Sequence, residues 1–119
     1  MELTATFTRS HKQLVEIIEK LLKNRGLAIN SVELVGTLKS DSKPMCSCSI
    51  SVKMPQGDVA EIRMSHTEIL HAITKSLTNQ GYRDFALELA AIGEDRDRFF
   101  RTVVCLVTIK VATIQRLPA

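Results

Sequence analysis

The side chains best suited to chemistry in this 119-residue chain are three histidines, His11, His66 and His71, and three cysteines, Cys46, Cys48 and Cys105. Imidazole and thiolate bind zinc together, and each can serve as a base or a nucleophile. Their spacing speaks against these uses. A zinc site needs a fourth ligand and commonly shows the close ligand pairs of a finger or ribbon, whereas the chain offers a lone Cys-x-Cys. Cys46, Cys48 and Cys105 fall on the apolar side of strand patterns, where a thiol behaves as a small hydrophobe, and a Cys46–Cys48 disulfide would be strained at that spacing. His11 and His66 each follow a serine at the start of a helical pattern, so they read as one helix start used twice. A protonated imidazole is also disfavoured beside the positive end of a helix. Glu33 and Glu88 also match and could place two acids near a shared axis, but two outward glutamates on strands explain them equally well. No Walker loop, G-x-G-x-x-G, H-E-x-x-H or G-x-S-x-G occurs, so neither metal nor cofactor is expected and the reading leans away from an enzyme.

A second group of candidates is basic. Lys39 and Lys43 lie in the turn region 39–44, and Arg96, Arg98 and Arg101 lie in and beside the loop 93–98, next to Phe99 and Phe100. Two such tips could contact phosphates, with a phenylalanine stacking on an unpaired base. Lys53 and Lys110 would add to a sheet surface that also carries Ser47, Ser49, Ser51 and Thr108. Against this, Glu94, Asp95 and Asp97 interleave with the arginines and Asp41 with the lysines. With four Phe, one Tyr and no Trp, the chain is also short of stacking aromatics. RNA or DNA is the first partner expectation, and self-association or a protein partner is the second. The latter rests on Thr67, His71, Thr74 and Thr78, an uncharged helix face whose matched positions on the first helix are Lys12, Glu16, Glu19 and Lys23.

That match comes from an internal repeat. Shifting the sequence by 55 places Ser10 on Ser65, His11 on His66, Ile18 on Ile73, Lys20 on Lys75, Leu22 on Leu77, Asn24 on Asn79 and Gly26 on Gly81. Treating Ala90 and Ala91 as an insertion, Gly36 then meets Gly93, Cys48 meets Cys105 and Lys53 meets Lys110. The local physics of the two segments agrees. Leu3, Ala5 and Phe7 alternate with polar residues as in a half-buried strand. Ser10 with Gln13 and Ser65 with Glu68 have capping-box spacing, apolar faces follow at Leu14, Ile18, Leu21, Leu22 and at Ile69, Ile73, Leu77, and Gly26 and Gly81 sit where a left-handed cap is wanted. Two strands come after each helix, the last expected from about Phe99 to Thr113 and central in its sheet. Met54-Pro55-Gln56-Gly57 reads as a tight turn between the segments.

The expected fold is therefore α+β: an internal duplication of a βαββ unit, residues 1–55 and 56–119, in one domain with an antiparallel sheet of about six strands and both helices packed on one face. The composition permits this, with 45% hydrophobic and 24% charged residues and a net charge of +3. That charge is too small to demand a polyanion by itself. It falls wholly in the first segment. The longest uncharged runs stop short of the roughly 20 apolar residues of a membrane span, and no signal-peptide pattern follows Met1, so a cytoplasmic protein is expected.

Residues 1–80 read strand, helix, three strands, helix, an order that resembles the ribosome hibernation-promoting factors, and Ser65-His66-Thr67-Glu68-Ile69-Leu70-His71-Ala72-Ile73 is similar to the start of their second helix. The resemblance implies binding to ribosomal RNA of the small subunit. The strands after Gly81 depart from that pattern, and the second helix lacks dense basic character. Taken together, the expectation is a small binding or regulatory protein. Its alternatives are an oligomeric interaction module, and a small-molecule binder or enzyme at the junction of the two copies.

Overall fold

The computed structural model describes residues 3–37, 45–92 and 99–110. Within them the order is β1 Thr4–Arg9, α1 His11–Lys23, β2 Ala28–Thr37, β3 Met45–Lys53, β4 Val59–Met64, α2 His66–Asn79, β5 Phe85–Ile92, β6 Phe99–Phe100 and β7 Thr102–Lys110.

Both helices begin and end by the devices read from the sequence. Ser10 Oγ accepts from the Gln13 amide at 3.2 Å while Gln13 Oε1 accepts from the Ser10 amide at 2.8 Å. The same box joins Ser65 and Glu68 at 3.2 and 3.1 Å. There the acceptor is a carboxylate, and the donations from the Ser65 backbone and hydroxyl hold Glu68 below the ordinary carboxylate range. At the far ends Gly26 and Gly81 adopt φ of +83° and +99°, a region free of steric cost only for glycine. The Leu27 and Tyr82 amides then reach back to the Leu22 and Leu77 carbonyls at 3.2 and 3.1 Å, giving orphan carbonyls a donor. The turn after β3 closes with the Gly57 amide on the Met54 carbonyl at 2.9 Å, with Pro55 preset at the second position.

The sheet expectation is corrected. The strands form two antiparallel sheets, ordered β1-β7-β5 and β4-β3-β2-β6. β1 does not join the strands that follow it. It pairs with β7, Thr4 opposite Lys110 and Arg9 opposite Cys105. The expected last strand also divides. Phe99 and Phe100 pair with Thr37 and Gly36 of β2, and after Arg101 the chain becomes the central strand of the other sheet. Gly36 lets the two sheets meet here, since a Cβ on it would lie 2.7 Å from Ala91 Cβ and 3.7 Å from Phe100 Cβ. The requirement is close approach and not an unusual φ.

The inner faces of both sheets and one face of each helix share a single apolar cluster. β3 contributes Cys46, Cys48, Ile50 and Val52 at alternate positions, and β7 contributes Val103, Cys105, Val107 and Ile109. Leu14, Ile18 and Leu22 come from α1, and Ile69, Ile73 and Leu77 from α2. Each such Leu, Ile or Val removed from water contributes about 1.5–3 kcal/mol, so the alternation fixes which face of each strand turns inward. No helix among the described residues is long and apolar enough to cross a membrane.

Candidate anion-binding groove between the helices

Of the basic residues singled out in the sequence, the three that are described, Lys53, Arg101 and Lys110, lie apart. Lys39, Lys43, Arg96 and Arg98 lie outside the described residues, and Phe99 enters only through its backbone pairing with Thr37. Lys53 is exposed at the end of β3, between Ala28 and Val59. Lys110 is exposed at the end of β7, in the other sheet, opposite Thr4. Arg101 is exposed at the opposite end of β7, about 30 Å along the strand from Lys110 at the usual rise per residue. It borders a second depression that His11 and Glu33 also line. Ser47, Ser49 and Ser51 line β3, whereas Thr108 belongs to the other sheet, so no common surface unites them with both lysines. On β3's outer face, Ser49 Oγ donates to Glu61 at 2.7 Å and Arg63 Nε donates to the same oxygen at 2.9 Å. Those contacts lower the Glu61 carboxyl, the Ser49 bond first and Arg63 next. Thr67, His71, Thr74 and Thr78 are all exposed on α2.

The histidines have a role beyond the helix start. His66 Nδ1 accepts from the Cys46 amide at 3.0 Å, and His11 Nδ1 accepts from the Val103 amide at 3.0 Å. The registers explain both bonds. β4 ends with Met64 opposite Cys48 and β1 with Arg9 opposite Cys105, so two residues further on the ladder would pair residue 66 with 46 and residue 11 with 103. At those points the chain has turned into a helix. The imidazole supplies the acceptor that the missing strand would have offered. The cysteines are buried, and burial pushes each thiol up to about 11, with Glu33 adding to the rise at Cys48. Thiols held there stay protonated at neutral pH and are poor nucleophiles and ligands. Among the described residues no group of three or more His, Cys, Asp or Glu could hold a metal ion.

What the fold does assemble is a groove of about 650 Å³ between α1 and α2. Arg9, Lys20, Arg25 and Lys75 line it and, among the described residues, face one lining carboxylate, Glu16. Gln13, Asn24, Asn79 and Gln80 add side-chain amides, and Ile17, Leu21 and Ala72 form apolar wall continuous with the core. One end is organised by Arg9, whose Nη2 donates to Gln80 Oε1 at 2.8 Å, tying the start of α1 to the end of α2. The same guanidinium lies 4.9 Å from the centre of the Phe7 ring, which packs on Tyr82 at 5.2 Å. Glu16 and Lys20 have the spacing of a helical ion pair, yet the pair formed on α1 is Lys23 with Glu19, at 4.0 Å. Neither Lys20, Arg25 nor Lys75 forms an ion pair among the described residues. Sequence reading passed over this site because its residues come from two helices. A signal was nevertheless present: Lys20 falls on Lys75 and Asn24 on Asn79 when the sequence is shifted by 55, and all four line the groove.

No protein family, no characterised protein and no solved structure matches the chain.

Proposed function

We propose that this is a non-enzymatic binding protein that holds an anionic ligand in the groove between α1 and α2. The observation that carries this reading is the convergence, among the described residues, of four cations and four amides on a concave surface with one opposing carboxylate. Cations in a recess that have no ion-pair partner among the described residues raise the local concentration of anions and form charge-assisted hydrogen bonds once they arrive. Titration of the isotope-labelled chain with inorganic phosphate should move the amide signals of Lys20, Asn24, Lys75 and Asn79 saturably. In a Lys20→Glu, Lys75→Glu chain those shifts should vanish while the rest of the spectrum is kept. Shifts that survive the double reversal, or that fall elsewhere, overturn the reading.

The groove then lies at the junction of two copies of a βαββ unit, 1–55 and 56–119, within one domain. Three features support the duplication. The sheet orders β1-β7-β5 and β4-β3-β2 correspond when β1, β2 and β3 are exchanged for β4, β5 and β7. Both helices carry the same box, and His11 and His66 extend equivalent ladders.

A second reading, contact with RNA or DNA, draws support from the exposed and widely separated Lys53, Arg101 and Lys110, since a polymer is the ligand able to touch all three. The exposed stripe Thr67, His71, Thr74 and Thr78 supports self-association through α2. Light scattering should then give the mass of a dimer or larger, reduced to that of one chain by Thr74→Lys with Thr78→Glu. A wild-type chain that is monomeric at high concentration ends that proposal.

A further inference from the structure

We infer that the groove takes a small amphiphilic anion, a carboxylate or phosphate ester carrying an apolar body, and not an inorganic ion or a nucleic acid strand. The inference rests on the anion-binding reading and adds the ligand's class. Along α1 the lining residues Gln13, Ile17 and Leu21 recur every four positions, so they form one ridge, which Arg9 at the end of β1 and Arg25 in the turn after α1 extend at its two ends. That ridge reads cation, amide, apolar, apolar, cation. From Gln13 to Leu21 the helical part spans about 12 Å at the helical rise per residue. An inorganic anion leaves its apolar middle in water, whereas a ligand with a body of roughly ten carbons covers Ile17 and Leu21 and still places its head beside an arginine.

Arg9 is the better head-group site. Gln80 engages one of its five N–H donors, and the contact with Phe7 fixes the plane of the guanidinium. The remaining donors form a pre-set fork that matches two oxygens of a carboxylate or phosphate, so little ordering remains to be done on binding. The volume agrees, since about 650 Å³ is the size of a site for one small molecule. A nucleic acid strand is disfavoured because, among the described residues, no aromatic side chain lines the groove to offer bases a face to stack on.

The test uses the full chain with four probes: 1-anilinonaphthalene-8-sulfonate, laurate, inorganic phosphate and a deoxythymidine decamer. The sulfonate should bind one to one with a fluorescence rise and a blue shift. Laurate should displace it at a concentration at least about tenfold below that needed with phosphate, the gain expected when a short alkyl chain is buried. Leu21→Gln should weaken laurate about tenfold and leave phosphate within twofold, while Arg9→Ala should weaken both. As a readout independent of any variant, laurate methylene protons should show contacts to the Ile17 and Leu21 methyl groups of the wild-type chain. If laurate competes no better than phosphate, the ligand class fails while anion binding stands; if no probe binds, both fail. Displacement by the decamer at lower concentration than laurate would assign the groove to nucleic acid and overturn the inference.

Discussion

A Gly36→Ala chain is expected to unfold at clearly lower urea concentration than wild type, with a loss of about 2–3 kcal/mol, the upper range for overpacking one methyl group. The added Cβ would lie 2.7 Å from Ala91 Cβ, a separation real side chains essentially never show. Neither atom can swing away, because both are the first carbons of their side chains on paired strands, Gly36 in β2 and Ala91 in β5. Relief must come from moving one sheet against the other. Gly36→Val should cost more again, since its branches would also press toward Phe100 Cβ and Val103 Cγ2, which lie 3.7 and 3.8 Å from the position of the first added carbon. The diagnostic is rescue. Ala91→Gly alone should cost about 0.5–1 kcal/mol for the freed backbone, yet combined with Gly36→Ala it should restore most of the lost stability. A double-mutant cycle would then give a coupling of about 2 kcal/mol. Additive losses, or a Gly36→Ala chain within about 0.5 kcal/mol of wild type, would mean the sheets are not in the contact described.

The same glycine shows where sequence reading stops. Several locally encoded features are legible in the sequence: the two boxes at Ser10 and Ser65, the left-handed glycines Gly26 and Gly81, the Pro55 turn, and the alternation that turns Cys48 and Cys105 inward. These depend on residues a few positions apart. Which strand pairs with which is a different matter, because β1 has the same alternating pattern whether it lies beside β2 or, as it does, beside β7. Nothing near Thr4–Arg9 announces a partner a hundred residues away. The break at Arg101 was hidden for the same reason, since Phe99 to Lys110 is uniformly good strand sequence and only the meeting of two sheets divides it. The groove needed both helices placed together before its cations became a group. Lys20 and Lys75 had been noted as matched, but a matched pair of lysines on two amphipathic helices predicts two solvated charges until the helices are seen to share a wall.

Replacing His11 and His66 together with alanine should destabilise the protein by about 2–4 kcal/mol, while asparagine at both sites should keep most of the stability. Val103 and Cys46 are buried residues whose N–H groups point toward strands that have already ended, at Arg9 and Met64. Deleting the imidazole leaves each donor without a partner in a partly buried place, at about 1–2 kcal/mol apiece, toward the lower end for an orphaned group because solvent is near. The sites share no partner, so the costs should add. Asparagine carries its oxygen where Nδ1 stood and can accept the same bond, whereas glutamine carries its oxygen one carbon further and should rescue poorly. Urea denaturation gives the stabilities. Hydrogen exchange gives the mechanism, because the Val103 and Cys46 amides should exchange at least about tenfold faster in the alanine variants under conditions where the chain stays folded. If both amides keep their protection without the imidazoles, the histidines are not the acceptors that prolong the two ladders, and any lost stability has another origin.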